Sequence, residues 1–153
     1  MERLISMKRF LCMLLMCATA ISFLSAPVKA ADIETVWLED LKWEWVDLEC
    51  CKTDIVLQTT DSISRTISPH SIGYVVSSQF FQTGTTITFN CSYSPSSASM
   101  DFGVIDSNSR FYYINVKGGS INQAIRISQG GNYQVAVRNN SSDTVYIAGF
   151  VSY

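Results

Sequence analysis

The sequence predicts an all-β protein: an antiparallel β-sandwich of about eight strands, open to a jelly-roll connection, behind a cleaved signal helix. Three observations lead there. After residue 53, short apolar runs alternate with clusters of Gly, Pro, Asn, Asp and Ser. Within the clearest run, Ile87, Phe89, Cys91 and Tyr93 alternate with Thr88, Asn90 and Ser92, so one face is buried and the other wet. No segment beyond residue 52 places apolar residues at helical spacing.

The strands follow in order. Residues 54–60 and 63–68 are the first two, the second ended by Pro69. Residues 72–80, 85–93 and 99–105 come next, with Ser94-Pro95-Ser96-Ser97 closing the middle one. Asp106-Ser107-Asn108-Ser109 is a turn, and 110–116 returns as the second arm of a hairpin. Residues 121–128, 133–137 and 145–151 complete the set, separated by Gly118-Gly119, Gly130-Gly131 and Asn139-Asn140-Ser141 turns.

Ahead of this domain lie two different segments. Residues 1–30 read as a signal peptide: Arg3, Lys8 and Arg9 form a basic start, residues 10–24 carry no charge, and Val28-Lys29-Ala30 offers a cleavage site between Ala30 and Ala31. The apolar run is shorter than the roughly 20 residues that span a bilayer, so no membrane span is expected in the mature protein. Cys17 follows the bulky Met16, which disfavours lipid attachment there. Residues 31–52 form an acidic, tryptophan-bearing segment. Eight carboxylates lie within 32–54, together with Trp37, Trp43 and Trp45. A helix would align Trp37, Leu41, Trp45 and Leu48; a strand would align Leu41, Trp43 and Trp45. Both remain open. Residues 53–153 are then the sandwich domain.

Beyond Ala30 the chain keeps seven basic and twelve acidic residues, a formal net charge of −5. That excludes nucleic acid as an expected partner. Cys50, Cys51 and Cys91 remain, and an oxidising compartment permits a disulfide between Cys91 and Cys51 (or Cys50).

The stretches Gly84-Thr-Thr-Ile-Thr-Phe-Asn90, Gly131-Asn-Tyr-Gln-Val-Ala-Val-Arg-Asn139 and Val145-Tyr-Ile-Ala-Gly149 resemble small extracellular bacterial β-sandwich modules of the pre-peptidase C-terminal type. The resemblance covers residues 84–153 and implies a non-catalytic module. In layout the chain is similar to short orphan secreted proteins of Gram-positive bacteria.

Catalytic chemistry finds little support. His70 is the single histidine, it follows Pro69 in a loop, and no Gly-x-Ser-x-Gly elbow is present. Cys50, Cys51, Cys91 and His70 number four, but adjacent cysteines seldom reach one zinc ion. Calcium is the more plausible metal, through Asp101, Asp106, Asn108, Asn139, Asn140 and Asp143, although no full calcium loop is present. No cofactor is expected, and no enzyme activity. The aromatics carry more weight: Trp37, Trp43, Trp45, Tyr112 and Tyr146 form the candidate binding surface. The sequence therefore points to a secreted, non-enzymatic β-sandwich that contacts an extracellular protein or glycan. A carbohydrate-binding module, a small hydrolase, and a toxin or inhibitor are the alternatives. No wall-sorting motif is visible, so release or non-covalent retention is expected.

Overall fold

The structure, a computed structural model, describes residues 33–47 and 61–153. The expected signal peptide, the Ala30–Ala31 cleavage site, Cys50, Cys51 and the 54–60 strand lie outside them. Among the described residues, ten strands form two five-stranded sheets. They are β1 (Glu34–Trp37), β2 (Lys42–Trp45), β3 (Asp61–Ile67), β4 (Ile72–Phe81) and β5 (Thr86–Ser94). β6 (Met100–Asp106), β7 (Arg110–Val116), β8 (Ser120–Arg126), β9 (Gly131–Asn139) and β10 (Val145–Ser152) follow. The all-β sandwich expected from alternation is thus present, with ten strands among the described residues where about eight were expected.

One sheet runs β1-β8-β5-β10-β3 and the other β2-β7-β6-β9-β4. From β3 to β10 every connection crosses between sheets except the β6–β7 hairpin. That wrapping is the double Greek key of a jelly roll. All ladders are antiparallel except β1 with β8. The segment read as acidic and open between helix and strand is extended: β1 borders one sheet, β2 borders the other, and a 3-10 turn (Leu38–Asp40) joins them.

Alternation makes the core. Ile87, Phe89, Cys91 and Tyr93 of β5 face Met100, Phe102 and Val104 of β6, with Val135, Val137, Ile147 and Val151 around them. Leu38 from the acidic segment is buried in the same cluster. Gly149 has φ +152°, and a Cβ there would collide with the Asn90 carbonyl oxygen and Cys91 Cα, so β10 can approach β5 only with glycine at this position. Asn139 is buried, and its amide donates to the carbonyls of Ile67, Ser68 and Asp143 while its oxygen accepts from Ser141. One side chain thereby satisfies backbone from the end of β3 and from the β9–β10 loop.

A second, smaller cluster lies on the outer face of the β2-β7-β6-β9-β4 sheet: Ile72, Ile105, Phe111 and Ala136. β6 is therefore covered on both faces, which its run of buried residues reflects.

Candidate functional site

β2 reads Lys-Trp-Glu-Trp, and a period of two puts Trp43 and Trp45 on one side and Lys42 and Glu44 on the other. Its register on β7 places Trp43 opposite Tyr112, Glu44 opposite Phe111 and Trp45 opposite Arg110. The indoles of Trp43 and Trp45 meet edge to face, with ring centres 5.8 Å apart and planes at 86°. The Tyr112 ring centre lies 6.4 Å from that of Trp43. Tyr112 also packs on the main core, so it forms the floor of the corner. Trp45 is 68% exposed and Trp43 46%.

The corner is braced by a guanidinium. Arg110 sits 5.6 Å from the ring centres of both Trp43 and Tyr112. Its Nε and Nη2 donate to Asp106 Oδ2 at 2.7 and 2.6 Å. The hydrogen bond to Asp106 holds the Arg110 guanidinium above its usual range. Asp106 Oδ1 accepts the backbone N–H groups of Asn108 and Arg110, so the hairpin turn itself fixes the carboxylate. Burial pushes the Tyr112 phenol up, partly opposed by Arg110. At neutral pH the phenol is un-ionised.

The opposite side of β2 is clamped. Glu44 accepts from Arg138 Nη1 and the Tyr113 hydroxyl, each at 2.7 Å. These hydrogen bonds, Arg138 first, hold the Glu44 carboxyl below its ordinary range. Arg138 also donates to buried Asp101 at 2.8 and 2.6 Å, and Asn115 and Asn140 complete that carboxylate's shell. Burial pulls the Arg138 guanidinium down, but its bonds to Glu44 and Asp101 raise it overall. Its Cζ lies 4.8 Å from the Tyr113 ring centre and 5.4 Å from that of Phe111, and the two rings stack on each other.

Of the five aromatics expected to form one surface, three come together and two do not. Trp37 belongs to β1 in the other sheet, where Arg126 lies 4.7 Å from its ring. Tyr146 stands on β10, between Ser94 of β5 and Thr66 of β3, and its hydroxyl bonds Ser64. Cys91, the expected partner of Cys51, is a free thiol buried between the sheets. Its Sγ donates to the Phe150 carbonyl, and burial pushes its pKa up to about 11. His70 is exposed in the β3–β4 turn at φ 51°. Of the calcium candidates, Asp101 and Asp106 are engaged by arginines as described, and Asn139 by backbone. No cluster of three or more metal-ligating side chains occurs among the described residues.

Arg110, Asp106, Glu44 and Arg138 were not singled out by sequence reasoning as parts of a binding surface. The available signal was Asp106 four residues before Arg110 across a predicted hairpin turn, which brings the two side chains to the same end of the hairpin. No family model, no curated protein and no solved structure matches this chain.

Proposed function

We propose that this chain is a non-enzymatic protein working outside the cell, and that it binds another extracellular protein through the Trp43–Trp45–Tyr112 corner. The observation that carries this reading is the exposed, perpendicular indole pair braced by Arg110. Trp, Tyr and Arg are the residues that dominate binding energy at protein contacts: the aromatics bring large rigid area at low entropic cost, and arginine brings a planar stacking group with fixed donors. Here they occupy an edge strand fixed from behind, so little ordering remains to be done on binding. The adjoining turn carries exposed Glu39 and Asp40, an acidic rim that suits a partner with basic residues around an apolar centre.

The test immobilises the full chain and a Trp45→Ala variant, and exposes both to the culture fluid of the producing cell. A specific partner should be retained by the wild type and lose about 2 kcal/mol or more of binding free energy in the variant. Its association should slow as salt rises, because the acidic rim steers encounter. Equal retention by Trp45→Ala would remove the corner as the contact. Turnover of a substrate by the purified chain would remove the non-enzymatic reading.

A further inference from the structure

We infer that the outer face of the adjacent strands β5, β10 and β3 is a second binding surface, and that it takes a neutral polysaccharide chain. Their outward residues fall in rows across the sheet: Ser94–Tyr146–Thr66, Ser92–Ala148–Ser64 and Asn90–Phe150–Ser62. The middle row is small and the flanking rows carry the rings, so two aromatic walls stand about 13 Å apart along β10 over a shallow polar floor. Tyr146 is 49% exposed and Phe150 58%. Tyr146 is not free to swing: its hydroxyl bonds Ser64 Oγ at 2.8 Å on the neighbouring strand. That bond draws the ring over the sheet.

The chemistry of the face selects its occupant. None of the outward positions on β3 from Ser62 to Thr66, on β5 or on β10 holds Asp, Glu, Lys or Arg. An anionic glycan, a nucleic acid or an acidic lipid surface would find no cation on these three strands; Arg126 stands outward on β8 opposite Thr86, and its guanidinium lies over the Trp37 ring. A second copy of this chain would bury rows of serine, threonine and asparagine against themselves, with two rings per copy on these three strands to supply apolar area. A neutral sugar polymer answers both conditions. Its pyranose C–H faces stack on aromatic rings, and its hydroxyls exchange hydrogen bonds with Ser, Thr and Asn side chains without burying charge. Linked rings along β10 can meet Tyr146, then the low step of Ala148 between Ser92 and Ser64, then Phe150.

This surface lies on the sheet opposite the one carrying Trp43, Trp45 and Tyr112, so the two sites can be lost separately. The experiment is a depletion assay of the full chain on microcrystalline cellulose, chitin and an insoluble β-1,3-glucan, with polygalacturonate as the anionic comparison. Wild type should be retained on at least one neutral polymer. A Tyr146→Ala/Phe150→Ala double variant should lose that retention by at least about tenfold. Both side chains are exposed, so its thermal midpoint should not move. Trp43→Ala/Trp45→Ala should keep the retention. Undiminished retention by the Tyr146/Phe150 variant overturns the inference and leaves the protein-binding corner standing. Retention on polygalacturonate alone, or on none of the four polymers, overturns it as well. So does a wild-type dimer that dissociates in the Tyr146/Phe150 variant, which would assign the face to a second copy.

Discussion

Tyr93 points into the core from β5, and its hydroxyl is buried without a hydrogen-bond partner. An orphaned buried hydroxyl costs free energy, while its ring packs against Phe102 at a centre distance of 6.2 Å. Tyr93→Phe keeps the ring and removes the orphan. It should raise stability by about 1 kcal/mol in urea unfolding, with an unchanged slope. Individual residues also show what sequence could reach. Trp43, Trp45 and Tyr112 were recognisable as candidate contacts, because large aromatics in a strand-rich, weakly charged chain must either fill the core or face a partner. The bracing role of Arg110 and the clamping role of Arg138 were not. Both are strand residues of ordinary spacing, and each acquires its function only from a carboxylate that the fold brings beside it. Phe111 shows the same limit from the opposite direction. It lies on an outer sheet face yet is fully buried, because Arg138, Tyr113 and the second small cluster cover it.

β2 is the element on which the proposed protein contact depends, and sequence left it undecided between helix and strand. Lys42 to Trp45 alternates over only four residues, and Trp37, Leu41, Trp45 and Leu48 fit a helical stripe as well, so neither period wins. β5, with nine residues and strict alternation, was legible throughout. What settles β2 is its ladder to β7 and the hydrogen bonds to Glu44, and these carry a pH signature. The Glu44 carboxyl titrates lower when folded than when free. Its contribution is therefore complete above the ordinary glutamate pKa of about 4.3 and is lost as pH falls through its lowered folded value. Glu44 is half exposed, so the contribution is modest, about 0.5–1 kcal/mol after solvent screening. Acrylamide quenching of tryptophan emission should increase in the wild type as pH falls below about 4. In Glu44→Gln the quenching should already be raised at pH 7 and should change less on acidification. A wild-type profile flat to pH 3 would show that the clamp does not hold β2.

The whole molecule couples its acidic segment to the sandwich through Leu38. This residue sits in the turn between β1 and β2 and is buried among core residues from the sandwich strands. Leu38→Ala should cost about 2–4 kcal/mol, read as a lower urea midpoint by far-ultraviolet circular dichroism. An unchanged midpoint would mean that the segment lies on a fold complete without it. The sequence by itself determined the all-β class, the strands from β3 to β10 to within a few residues, and the β6–β7 hairpin at Asp106–Arg110. Period-two alternation and turn chemistry are local properties, written in neighbouring residues. The tertiary structure alone decided the jelly-roll order, the strand nature of residues 42–45, and the separation of Trp37 and Tyr146 from the indole corner. Those outcomes depend on which strands pair and in what register, and a register is set by contacts between residues tens of positions apart.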